Sequence, residues 1–201
     1  MLLSTAYLPP IQYVALLYKY GSAKIEIWEH YKKQTYRNRA TILSANGPLD
    51  LIMPLEKDAG SKTLLKDVRI AYHDRWNAEH WNAICSAYNS SPYFEYYKED
   101  FERFFTQQFS FLIDYNLELL NCILQLLHIQ CDCSFTNDFT IPDTQSDDFR
   151  YSISPKIRPL IDTPRYTQVF EDKFDFAPNL SILDLLCNEG PEAKEYLRKL
   201  F

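Results

Sequence analysis

At 201 residues, with 46% hydrophobic and 24% charged side chains, the chain suits one globular domain over residues 1–201 that needs neither a disulfide nor a metal to hold its core. Its four glycines, Gly21, Gly47, Gly60 and Gly190, cannot be written into GxGxxG or GxxxxGK[ST], which argues against dinucleotide-fold oxidoreductases and P-loop ATPases. The net charge of −6 is uneven: residues 1–45 hold six Lys and Arg against two acids, while the remainder holds 15 basic against 25 acidic residues, so one local anion-attracting surface is expected.

Leu2 to Tyr7 is a short apolar run with the character of a buried strand, stopped by Pro9 and Pro10. Pro10 can open a helix, and Ile11 to Tyr20 reads as that helix, closed by Gly21 just past its end. Ala23 to Trp28 alternates and is β-rich, so it reads as a strand. Strand, helix and strand with short connections make a βαβ unit, which implies parallel strands and a right-handed crossover. A polar, basic stretch follows from Tyr31 to Arg39. Ala40–Ser44 and Leu49–Pro54 then flank Asn46-Gly47, the signature of a β-hairpin. Lys57 to Lys62 reads as a polar loop, and a further strand is expected near Val68–Ile70.

The middle of the chain is helical. Asp74 is placed to cap a helix carrying Trp76, His80, Ala83, Ile84 and Ala87 on one face. Ser91-Pro92 starts a second, with Phe94, Tyr97, Phe101, Phe104 and Phe105 as an aromatic stripe. Asp114 starts a third, with Leu117, Leu120, Ile123, Leu124 and Leu127 on its apolar side. Residues 131–165 lack periodicity and are expected to be a long loop or mobile segment. Ser181 to Asp184 has capping-box spacing, and Gly190-Pro191 separates that helix from a last one bearing Ala193, Tyr196, Leu197 and Leu200. The fold class is therefore α/β: an N-terminal βαβ unit with a mostly parallel sheet, a β-hairpin, and a helical middle and C-terminal part.

No run approaches the roughly 18 apolar residues a membrane span needs, so no membrane insertion is expected. No basic leader precedes the first apolar run, and the five cysteines are scattered and odd in number, which fits reduced thiols in the cytoplasm. Cys131-Asp132-Cys133 has no second cysteine pair, so no metal is expected, and no motif implies a cofactor.

The densest polar cluster is His30 to Arg39. Lys33, Gln34, Arg37, Asn38 and Arg39 are candidate substrate-binding residues, because a planar guanidinium gives a carboxylate or phosphate two parallel hydrogen bonds. In open α/β sheets ligands sit beyond the carboxyl ends of the strands. Lys32 to Arg39 are thus expected to converge on a concavity at the sheet rim; the bland alternative is a solvated loop or edge strand. The acidic balance and the lack of a recognised motif argue against a nucleic-acid partner. His80 is the candidate general base, since histidine titrates near neutrality, with Tyr7 near the strand end as its companion; the alternative is a packed core histidine.

Tyr7-Leu8-Pro9-Pro10-Ile11-Gln12-Tyr13, Arg37-Asn38-Arg39, Asn46-Gly47 and Leu51-Ile52-Met53-Pro54 occur in that order. They are followed by Trp76, His80, Ile84, Tyr88, Ser91-Pro92-Tyr93-Phe94, Tyr115-Asn116-Leu117, Phe176 and Pro178 through Leu186. This ordered set resembles the WbqC-like proteins over nearly the whole chain. Where many relatives carry Gln-Pro before the first tyrosine, this chain has Thr5 and Ala6. The resemblance implies a bacterial, cytoplasmic setting in surface-polysaccharide biosynthesis of the O-antigen type. The expected function is a group-transfer enzyme binding an anionic activated precursor, such as a sugar nucleotide or a carboxylate. The alternative is a non-catalytic binding or interaction protein.

Overall fold

The computed structural model describes residues 1–57, 59–60, 62–142 and 147–201. In chain order its elements are β1 (Leu2–Ser4), α1 (Ile11–Tyr20), β2 (Ser22–Glu26), β3 (Arg39–Ser44), β4 (Gly47–Ile52), α2 (Trp76–Tyr88), α3 (Phe94–Thr106), α4 (Leu112–Leu126), β5 (Asp132–Phe135), α5 (Ile182–Glu189) and α6 (Ala193–Arg198). Single 3₁₀ turns cover Leu65–Asp67 and Gly190–Glu192.

β1 and β2 run parallel, with Leu2 opposite Lys24 and Ser4 opposite Glu26, and α1 crosses between them. The expected βαβ unit is present. Gly21 ends α1 at φ +67°, a left-handed conformation that favours glycine, while its N–H donates to Leu17. Both strands are shorter than their apolar runs. β1 stops at Ser4, and the Tyr7 N–H leaves the sheet to bond the Tyr36 carbonyl. β2 stops at Glu26, whose carboxylate takes the Trp28 N–H at 2.8 Å.

β5 lies inside the stretch read as aperiodic loop and pairs in parallel with β2, giving the sheet order β1–β2–β5. It escapes the sequence because the alternation of Asp-Cys-Ser-Phe spans only four residues within a polar stretch; pairing with β2 makes it a strand. Within the same stretch, residues 143–146 lie outside the described residues, as do Asp58 and Ser61 of the Lys57–Lys62 loop. β3 and β4 form the antiparallel hairpin, in register from Arg39–Ile52 to Ser44–Gly47. Val68–Ile70 is not a strand: Arg69 and Ile70 make only isolated bridges to Phe111 and Leu55.

Three helix starts differ from their sequence signals. α2 begins at Trp76 without a side-chain cap, while Asp74 pairs with His73 at 3.1 Å. α3 begins at Phe94, and the Ser91 hydroxyl donates back to the Tyr88 carbonyl. α4 begins at Leu112, with Asp114 in its first turn where the helix dipole favours an acid. Ser181 does cap α5, accepting from the Leu183 N–H.

One contiguous cluster of buried side chains runs from α1 through the aromatic faces of α2, α3 and α4 to α5. Asp184, in the first turn of α5, accepts from Tyr88, Tyr166 and Gln168. That clamp ties the segment before α5 to the helical core. Burial pushes the Asp184 carboxyl up, and the hydrogen bonds oppose the shift.

Candidate functional site

The carboxyl ends of the parallel strands, at Ser4, Glu26 and Phe135, open onto a rim of buried charges. Glu26 is wholly buried and fully satisfied: it accepts from the Trp28 and Thr140 N–H groups, the Thr136 hydroxyl and the Arg150 guanidinium. Arg150 also reaches Asp148 at 2.6 Å and the Thr140 carbonyl. Beside this pair, Glu29 Oε1 accepts from Arg37 Nε at 3.1 Å, from Arg37 Nη2 at 2.6 Å and from the Ser4 hydroxyl at 2.5 Å. Arg37 Nη2 also donates to Ser4 Oγ at 2.6 Å. Glu29 Oε2 is buried without a hydrogen-bond partner. Lys32 Nζ sits 3.6 Å above the Tyr151 ring, with its pKa lowered by desolvation and then by Arg37. A cavity of about 10 Å³, room for roughly one water, lies among Ser4, Thr5, Ala6, Tyr36, Arg37 and Arg150.

The other face of the 31–39 segment looks toward the hairpin. Asn38 is held rigidly, donating to the Met53 carbonyl and accepting from Tyr31 Oη. Arg39 faces Asp50 at 3.5 Å, and its Nε is buried without a partner. Gln34, exposed and at φ +58°, accepts from Lys156. Lys33, Gln34, Asn38 and Arg39 line an open concavity of about 330 Å³ floored by Ile52, Met53 and Pro54.

Ile52 and Pro54 also wall a second concavity, of about 460 Å³, which holds Trp76, Glu79 and His80. His80 Nδ1 lies 2.9 Å from the Tyr7 hydroxyl. Burial lowers His80 to about 4, opposed by the Ile52 backbone carbonyl, so the imidazole is uncharged at neutral pH. Tyr7 is fully buried, which pushes its pKa well up. The Tyr115 hydroxyl lies beside that of Tyr7 without forming a well-aligned hydrogen bond. Leu8, next to Tyr7 and before Pro9, has φ +40°, a conformation that costs on the order of 1–3 kcal/mol for a non-glycine residue.

The structure therefore divides the predicted set. Tyr7 and His80 meet. Lys33, Gln34, Asn38 and Arg39 share one concavity that adjoins theirs. Arg37 does not join them: it turns to the sheet rim and is neutralised by Glu29, so the expected convergence of Lys32 to Arg39 on one rim concavity does not occur. Ser4, Glu26, Glu29, Asp148 and Arg150 were not singled out from sequence. The available signal was that Glu26 and Glu29 are the only acids among the first 45 residues, within a segment otherwise basic.

Among the described residues no group of three or more His, Cys, Asp or Glu side chains is placed to hold a metal ion, and no helix is long and apolar enough to cross a membrane. No solved structure matches the chain. It is similar to Rv1507c, an uncharacterized protein of Mycobacterium tuberculosis, with 25% identity over 198 residues and 84% of each chain covered. The WbqC-like protein family matches residues 5–159, which contain Tyr7, the 31–39 segment, His80 and Arg150. With more than half its length matched, the chain belongs to the WbqC-like protein family.

Proposed function

We propose that this protein is a group-transfer enzyme that binds an anionic activated precursor, such as a sugar nucleotide, between the 31–39 segment and the hairpin. The observation that carries the reading is the shared wall: Ile52 and Pro54 separate a concavity lined by Lys33 and Arg39 from one holding His80. Positive groups on one side, Lys33 and the partly exposed Arg39, suit a phosphate or carboxylate. On the other side His80, uncharged at neutral pH and held by the Tyr7 hydroxyl and the Ile52 carbonyl, is the titratable group this reading assigns to take a proton from an acceptor hydroxyl, although burial weakens it as a base. The surface-polysaccharide setting comes from the genes that family members accompany.

The test is a thermal-shift and turnover screen against nucleotide sugars and sugar carboxylates. The reading expects a saturable rise in Tm that is lost in Arg39→Ala, and turnover that is lost in His80→Gln. Binding without turnover would favour a non-catalytic binding protein, and silence across the panel would remove the precursor site altogether.

A further inference from the structure

We infer that Cys131 and Cys133 form a two-thiolate site for a soft monovalent cation of the Cu(I) class, with a small thiol from solution as the third ligand. The pair stands at the amino end of β5, the end of the sheet opposite the rim, and uses no residue of the hairpin concavity.

The geometry begins with the register of β5. Asp132 pairs with Ser22 and Cys133 with Ala23 of β2, and the Asp132 N–H donates to the Gly21 carbonyl at 3.0 Å. That pairing fixes the backbone between the two cysteines. Residues two apart in extended chain share a face, so both thiols point the same way. Their sulfurs stand 3.8 Å apart, with the Cys133 thiol donating weakly to Cys131 Sγ. Two thiolates at that separation, each about 2.3 Å from one metal ion, subtend about 110° at the ion. The angle lies between tetrahedral and trigonal, so chelation needs no movement of the strand.

The pair is also within reach of solvent. Both cysteines are half-buried, and Cys131 lines an open concavity of about 700 Å³ with Gly21, Gln125 and Asp132. By contrast, Cys122 and Cys187 are buried, and Cys85 lies on α2.

The donor set selects the ion. Among the described residues no third His, Cys, Asp or Glu is placed to join the pair. Structural zinc, which takes four protein ligands, and the hard oxygen-seeking ions are poorly served by two sulfurs. Soft thiolates favour Cu(I). Burial pushes both thiols up, so both carry their protons at neutral pH. On binding, each S–H bond breaks as its sulfur bonds the ion; two protons go to solvent for one Cu(I), and no electron is transferred.

The experiment titrates the reduced full chain, anaerobically and with glutathione present, with Cu(I) supplied as its coloured bicinchoninate complex. The expected result is one Cu(I) withdrawn per chain, lost in Cys131→Ser and in Cys133→Ser and unchanged in Cys85→Ser. Alkylation of the loaded wild-type chain with iodoacetamide, read by peptide mass, decides the matter even if a variant fails to fold. Cys131 and Cys133 should be protected by the ion while Cys85 reacts as it does without it. No withdrawal of Cu(I), protection at another cysteine, or retention of Zn(II) in preference to Cu(I) overturns the inference.

Discussion

Arg37 and Arg39 stand two residues apart in one basic segment and occupy opposite environments. Arg37 is 3% exposed, and a 2%-exposed Glu29 takes its charge; Arg39 is 23% exposed beside an Asp50 at 3.5 Å. Asn38 between them is tied to Met53 and Tyr31, and α4 anchors the Arg37 carbonyl through Asn116. In a regular strand residues two apart share a face; Arg37 lies in the turn before β3, which starts at Arg39, so its side chain is freed from that alternation and turns to the rim. The sheet rim is thus a closed ion network, and the hairpin side is an open basic concavity. A run of positive charge in a sequence does not tell these two roles apart.

The largest way to break this contrast is at the rim. Glu29→Ala leaves the Arg37 guanidinium buried without its partner, a loss of about 3–5 kcal/mol. At this chain length, that lowers Tm by roughly 10 °C in calorimetry. Glu29→Leu with Arg37→Met should restore most of the loss, because a buried pair exchanged for apolar groups of similar size is often neutral. If Glu29→Ala melts like the parent, the rim is not the closed network described.

A middle-sized effect is expected at the Tyr7–His80 pair. Tyr7→Phe leaves a buried imidazole nitrogen unpaired and costs about 1–3 kcal/mol, measurable by urea unfolding. The pair also carries a pH signature. His80 falls from its ordinary 6.5 to about 4 on folding, so between these values the unfolded chain binds more protons. Its contribution is complete above about pH 6.5 and is lost as pH falls toward 4, by roughly 3 kcal/mol at most. His80→Gln should remove that part of the acid slope in urea unfolding measured across the window.

How much of this was legible in the sequence follows from what each element depends on. The βαβ unit and Gly21 are local, written in alternation, in a helical run and in a left-handed closing residue. The meeting of Tyr7 with His80, 73 positions apart, comes from α2 packing beside the hairpin. Local patterns do not encode it, although both residues stand out as titratable groups. β5 and Arg150 were hidden for a related reason. Part of the 131–165 stretch satisfies buried charges: the Thr136 hydroxyl, the Thr140 backbone, Asp148 and Arg150 all bond the Glu26 network or each other. At these four positions, polarity that reads as loop is the satisfaction of buried charges.

The smallest structural effect, and the most direct test of the division, is at Arg39. Arg39→Ala should shift stability by less than about 1 kcal/mol, since a long, half-exposed pair contributes little. The decisive measurement compares Arg39→Ala with Arg37→Met by calorimetric melting, with and without a saturating nucleotide sugar. The account predicts that Arg37→Met melts well below the parent yet is still stabilised by the ligand, by about 3 kcal/mol at 100-fold over Kd. Arg39→Ala should melt near the parent and gain nothing from the ligand. If instead Arg37→Met alone abolishes the ligand's effect while Arg39→Ala retains it, the precursor is bound at the rim, and the assignment of the two faces is wrong.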